Sequence, residues 1–326
     1  MTQGVVRATI HRVVSDPFEV HYEVPVAGGM MRVARAGQRP ERADAVVLAV
    51  HGITSSLMAW RTVARTLIRR LDICLLAPDL RGRGHSARLP GPYGFAAHVA
   101  DLLAVLDDAR VERAVLAGHS MGAYAIARFA AERPDRAAAA VLVDGGMPYA
   151  DAPEGDPDTV VENVAPAFTE RLPLTFASVD AYADHWAAHP AFTSSWNDDV
   201  DAYARYDVAG EPGSMRCVVS EPAVVADLRE VLFDDATRTA LDRVRAPIHI
   251  VRAARGLRDE EDKPLISADY LAGFAASRVD ASVESVPAAN HYTVVLGGGD
   301  GPLIVAGAIE RALCRDRTGE TLQWAS

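Results

Sequence analysis

The chain has 326 residues, 49% hydrophobic and 24% charged, a globular composition able to build one large domain or a core with an inserted module. Its formal charge of −11, with no basic cluster interleaved with aromatics, argues against nucleic acid as a partner. Cys74, Cys217 and Cys314 are too few and too far apart for a disulfide scaffold and read as reduced core thiols, while the absence of an h-region in residues 1–14 and of any ~18-residue uncharged apolar stretch points to no membrane association and a cytoplasmic location.

Apolar alternation over residues 5–13, 18–24 and 31–34 predicts antiparallel strands leading into the domain, and these leave an edge on which a homo-oligomer could build. Uninterrupted apolar runs follow at residues 45–50, 73–77, 114–117, 139–143, 248–251 and 283–286, as expected of strands buried on both faces. Helical patterns occupy residues 57–70, 94–109, 121–132 and 303–313, so the alternation predicts an α/β domain with a mostly parallel sheet between helical layers. The rhythm breaks over residues 148–244, which lack a clear buried strand and carry Phe168, Phe176, Trp186, Phe192, Trp196, Tyr203 and Tyr206. This interval reads as a helical cap between two parts of the core, 1–147 and 245–326. Most of its aromatics are expected to form its own core, and some to line a pocket. Residues 297–302 read as a turn before the last helix, with no GK[ST] to make them a phosphate loop.

The chemistry centres on Gly118-His119-Ser120-Met121-Gly122, which lies between an apolar run and an Ala-rich helical stretch. That setting matches a nucleophile elbow, a strand-to-helix turn that exposes a serine and needs small residues on either side. A serine hydroxyl is a weak nucleophile at neutral pH and requires an imidazole to take its proton. His291, in Asn290-His291-Tyr292-Thr293 after the last predicted strand, is placed where the loops of a parallel sheet converge, unlike the other nine histidines. In acyl transfer the carbonyl oxygen gains charge, and the backbone N–H groups of Met121 and of Ile53, in His51-Gly52-Ile53-Thr54, are the expected oxyanion donors. His51 and His119 read as braces for their loops. No cofactor is called for, and no clustered ligands such as H-E-x-x-H call for a metal.

With His51-Gly52, the segment Asp79-Leu80-Arg81-Gly82-Arg83-Gly84-His85-Ser86, the Ser120 elbow and Asn290-His291, the chain resembles α/β-hydrolase-fold enzymes over nearly its whole length. The resemblance implies a cap inserted after the sixth strand. It also implies that Asp79 shapes a loop, its carboxylate satisfying backbone amides or Arg81. In most relatives the triad acid follows the seventh strand, where this chain reads Arg252-Ala253-Ala254-Arg255-Gly256-Leu257-Arg258 before reaching Asp259; a minority place it after the sixth, where Asp144 stands. We favour Asp144, with Asp259 as the alternative; Asp144 could instead cap its loop through the Gly145 and Gly146 amides. The activity implied is cleavage of a hydrophobic small-molecule ester or lactone by Ser120, His291 and Asp144. The segments Asp16-Pro17-Phe18-Glu19-Val20-His21-Tyr22, Asp144-Gly145-Gly146 and Asn290-His291-Tyr292-Thr293 also resemble bacterial hydrolases that include zearalenone lactone-opening enzymes. A cofactor-free haloperoxidase, a C–C bond hydrolase and a non-turnover small-ligand receptor share this fold and stay as alternatives.

Overall fold

The structure, a computed structural model, describes residues 16–147, 153–278 and 280–318, with side chains through 314. In chain order the N-terminal elements are β1 (Val20–Val26), β2 (Gly29–Gly37), β3 (Ala45–Val50), α1 (Arg61–Ile68), β4 (Ile73–Pro78), α2 (Phe95–Asp108), β5 (Ala114–His119), α3 (Met121–Glu132) and β6 (Ala137–Val143). An insertion follows with α4 (Pro157–Val164), α5 (Pro166–Thr169), α6 (Val179–Ala187), α7 (Asp198–Tyr206), the two-residue strands β7 (Val208–Ala209) and β8 (Arg216–Cys217), α8 (Glu221–Phe233), α9 (Asp235–Arg238) and α10 (Ala240–Arg243). The chain then returns to the sheet with β9 (Ile248–Ala253), α11 (Ala268–Ser277), β10 (Ala281–Val286) and α12 (Gly301–Thr318). The strand expected over residues 5–13 lies outside the described residues.

Eight strands form one sheet in the order β1-β2-β4-β3-β5-β6-β9-β10, with β1 and β2 antiparallel to their neighbours and the rest parallel. The central strands β3, β4, β5, β6 and β9 are almost wholly buried because helices pack on both faces, α1 with α12 and α2 with α3. Such burial requires the uninterrupted Val, Leu, Ile and Ala runs seen in the sequence. Strand β10 departs from the expectation of burial on both faces: it pairs with β9 alone and is half-exposed, with Glu284 and Ser285 among its residues. The parallel order carries β3, β5, β6 and β9 to the same edge of the sheet, so the loops beginning at His51, Ser120, Asp144 and Ala254 emerge side by side.

The expected helix over residues 57–70 is shorter and opens as a 3-10 turn, Leu57–Trp60, before α1. The Asp79 carboxylate takes the Leu57 N–H (2.9 Å) and holds that turn against the end of β4. Cys74 and Cys217 are buried, as expected, whereas Cys314 is exposed on α12. No helix among the described residues is long and apolar enough to cross a membrane.

Candidate active site

Ser120 occupies the turn between β5 and α3 at φ 55°, ψ −122°, a conformation that is strained for a residue with a side chain. Its N–H donates to Val143 O (2.9 Å) and its carbonyl accepts from Ala123 N (3.0 Å), so neighbouring strand and helix hold the strain. The flanking glycines are required by contact. A Cβ on Gly118 would stand 2.3 Å from Gly122 O, and one on Gly122 would stand 2.2 Å from Val50 O. Met121 is the first helical residue, and its N–H has no carbonyl within the helix to bond.

His291 sits in the loop before α12. Its Nδ1 lies 2.7 Å from Asp144 Oδ2, with both residues buried. A carboxylate accepting at Nδ1 makes that nitrogen the protonated one and leaves the Nε2 lone pair available. Asp144, at φ 45°, directly follows β6; its N–H donates to Val251 O (2.8 Å) and its Oδ1 accepts the Ala253 N–H (3.1 Å). The β6–β9 pairing therefore aims the carboxylate, and its partners are Ala253 and His291 rather than the Gly145 and Gly146 amides. Asp259 takes a different position. It bonds the Arg255 guanidinium and Asn290 Nδ2 (3.1 Å), bracing the loop that precedes His291.

The loop after β3 passes close to the serine, since a Cβ on Gly52 would approach Ser120 Cβ to 3.1 Å and Ser120 Oγ to 3.6 Å. His51 braces this loop from inside. Leu80 N–H donates to its Nε2 (3.0 Å), so Nδ1 carries the proton and donates to Gly52 O (2.8 Å). Burial holds this imidazole down to about 3, and it stays neutral. His119 donates from Nε2 to His291 O (2.8 Å), anchoring the opposite loop. Burial, and then the neighbouring His291, hold His119 well below the ordinary imidazole range. Asp79 accepts from the Leu57 and His85 amides and from Tyr206 Oη, while Arg81 pairs with Asp101 instead.

Two cavities meet at Ser120. One, of about 30 Å³, is lined by Gly52, Ile53, Ser120, His119 and His291. The other, of about 290 Å³, is bounded by Ile53, Ser120 and Met121 and walled largely by Tyr124, Met147, Phe168, Leu228, Val231 and Ile266. Phe168 belongs to both walls. Among the insertion's aromatics, Phe168 and Tyr203 reach a cavity, whereas Trp186 packs edge-on against Phe192, Tyr203 and Tyr292. Several lining residues escaped sequence reasoning. Tyr124 had a signal, lying one helical turn after Ser120 on the same face of α3; Ile266 and Tyr270 come from a segment with no pattern pointing at the site. Among the described residues no group of three or more His, Cys, Asp or Glu is arranged to hold a metal.

Serine elbow, buried His–carboxylate pair and mostly parallel eight-stranded sheet together define a recognisable class, and the alpha/beta hydrolase family model matches residues 46–301. The chain belongs to the alpha/beta hydrolase family. Lipase LipV of Mycobacterium tuberculosis is 30% identical to this hydrolase over 206 residues, 56% of this chain and 77% of the lipase. Epoxide hydrolase 2 of Siraitia grosvenorii is 33% identical over 123 residues, 37% of each chain. Among solved structures, E-2-(acetamidomethylene)succinate hydrolase superposes with a TM-score of 0.72 at 23% identity, over 90% of this hydrolase and 99% of that chain. The thioesterase domain from the curacin biosynthetic pathway gives 0.69 at 20% identity, over 89% and 99%. These two likenesses speak to fold.

Proposed function

We propose that this hydrolase cleaves a carboxylic ester or lactone of a hydrophobic small molecule, with Ser120 as nucleophile, His291 as base and Asp144 as the acid that orients it. The observation that carries the reading is the 2.7 Å bond from His291 Nδ1 to Asp144, beside a cavity that His291 shares with the strained Ser120. His291 Nε2 takes the hydroxyl proton as Ser120 Oγ attacks the carbonyl. The Asp144 carboxylate, which needs no proton of its own, stabilises the imidazolium that forms. Charge on the carbonyl oxygen is met by the Met121 N–H, at the positive end of α3, and by the Ile53 N–H, each donor worth ~3 kcal/mol of barrier. The imidazolium returns its proton to the leaving oxygen, and water activated by the same base then releases the acyl group.

The predominantly apolar walls of the larger cavity favour a hydrophobic acyl group, which buries hydrocarbon at roughly 25 cal/mol per Å². The name of one similar protein, a lipase, also supports acyl transfer. The segments around Phe18, Asp144 and His291 that resemble zearalenone lactone-opening enzymes extend the reading to a macrocyclic resorcylic lactone. The decisive test is treatment with a fluorophosphonate followed by peptide mapping, alongside turnover of p-nitrophenyl octanoate and of zearalenone followed by mass. Label on Ser120 with ester hydrolysis is the expected result, and opened zearalenone would specify the lactone. Protein that neither takes the label nor turns over any ester refutes the reading. Labelling with only one turnover would favour a receptor.

A further inference from the structure

The loop that supplies the Ile53 amide is held by more than His51. Its next two carbonyls each accept from a buried arginine. Arg83, fully buried in the loop after β4, donates from Nε to Ile53 O (2.9 Å) and from Nη1 to Arg81 O (2.9 Å), and its Nη2 lies 4.0 Å from Met121 Sδ. Its charge is met by Asp227 of α8, whose Oδ2 stands 2.6 Å from Nη1. Asp227 also accepts from Gly94 N (2.8 Å) and bonds His98 Nε2 (3.0 Å), which ties α8 to the start of α2. Arg171, buried in the insertion, donates from Nη2 to Thr54 O (2.6 Å) and pairs with Asp207 Oδ2 (2.8 Å), its guanidinium 5.1 Å from the centre of the Trp186 ring.

Three successive peptide units, with oxygens on Gly52, Ile53 and Thr54, are thus each held by a side chain. Because a peptide is planar and trans, the Gly52 carbonyl held by His51 sets the plane of the Ile53 N–H, and the arginine bonds to the next two carbonyls hold the adjoining planes so that Ile53 cannot turn about its own backbone bonds. A buried ion pair is a weak source of net stability, since desolvation offsets its attraction, so two pairs aimed at one loop call for another role. The guanidinium's rigid fork suits that role: it can meet a carboxylate with one N–H and a carbonyl with another. We propose that Arg83 and Arg171 are positioning residues that aim the Ile53 oxyanion donor, and that the insertion between β6 and β9 controls turnover through Asp227, Asp207 and Arg171. This inference rests on the proposed serine-hydrolase reading, and it makes the insertion part of the catalytic geometry as well as a wall of the cavity.

The test uses the full chain with Arg83→Lys, Arg171→Lys and Arg83→Met, and with Asp199→Asn as control. Lysine retains a charge for the buried carboxylate but loses the fork, so it isolates the carbonyl bond. Asp199, on α7, is a comparably buried tie whose partners, Arg61, Arg65 and Thr62, belong to α1 rather than to the 52–54 loop. Turnover of p-nitrophenyl octanoate is expected to fall about tenfold to a hundredfold in the lysine variants, with KM changed less than about twofold. Affinity for a trifluoromethyl ketone of matching chain length, which forms the oxyanion, should fall in parallel, while that for octanoate as product should hold. Asp199→Asn should lose melting temperature with little change in kcat. Lysine variants with wild-type kcat overturn the proposal, as does an Asp199→Asn variant losing as much kcat as they do. If Arg83→Met fails to fold, the lysine pair carries the decision. A wild-type protein inert toward both esters and fluorophosphonate refutes the serine-hydrolase reading and this inference together, whereas an active wild type with unaffected variants refutes this inference alone.

Discussion

Asp144, directly after β6, and Asp259, in the loop beyond β9, both adopt positive φ, 45° and 67°, and both stand near His291 in the fold, but they receive different donors. Asp144 accepts from His291 Nδ1 and Ala253 N, whereas Asp259 accepts from Arg255 and Asn290. Replacing Asp144 by Asn removes the acceptor that selects the His291 tautomer, so kcat at neutral pH should fall by ~10⁴. Asp259→Asn removes one tether of the preceding loop and should cost less than about tenfold. Turnover of p-nitrophenyl octanoate by both variants, with circular dichroism confirming the fold, checks the pair, and the reverse order of losses would move the acid to Asp259. Residue spacing alone could not separate them, because each follows a strand that ends at the same edge of the sheet. The pairing of β6 with β9 decides which carboxylate faces the imidazole.

The elbow works as an element because β5, α3 and the end of β3 approach without intervening side chains. Gly122 faces Val50 O, so a methyl there would have to displace strand backbone rather than a flexible chain end. Gly122→Ala is therefore expected to destabilise the fold by about 1–3 kcal/mol, as overpacking does, and to move Ser120 out of line. Urea denaturation together with the rate of fluorophosphonate labelling measures both effects; unchanged stability and labelling would refute the close-approach argument. The sequence showed this element well. Turn glycines, a buried apolar run and an Ala-rich helix make α3 legible from Met121 to Glu132. By contrast, α11 went unread: Leu271 is buried and Tyr270 and Phe274 are half-buried against the core, but the alanines and glycine between them blur the apolar face.

Across the whole molecule, buried titratable groups act on stability in opposite directions. His51, held at about 3, and His119, held well below 6.5, bind protons on unfolding, so the stability they contribute is complete above pH 6.5 and lost as pH falls through their folded values. Burial raises Asp79 to about 7 and Asp207 to about 6 from an ordinary 3.8, so their contribution is complete below 3.8 and lost as pH rises toward those values. Each titrating proton changes stability by about 1.4 kcal/mol per pH unit, so Asp79 and Asp207 offset part of the histidine loss between about pH 4 and 6, a loss to which His21, His85 and His189, also lowered chiefly by burial, add. Below pH 3.8 the offset ends. Asp227, which His98 and then Arg83 hold far below the carboxylate range against the cost of burial, adds its own loss there. Calorimetric melting temperatures against pH should therefore decline gently from about 6 to 4 and steeply below 4; a decline from near pH 6.5 as steep as that below 4 would show that the two carboxylates do not oppose the histidines.

By itself the sequence determined the class of the fold, its core strands and the segments from which the candidate nucleophile and base come, because burial on both faces demands apolar runs and a strained serine turn demands glycines. Tertiary structure decided the rest: which acid meets His291, how Asp79 and Arg81 divide their partners, and how the insertion's carboxylates pair with the arginines that hold the Ile53 loop. Those are contacts between residues far apart in the chain. Arg83 and Asp227 are separated by 144 positions, so no local pattern of charge or period records that they meet.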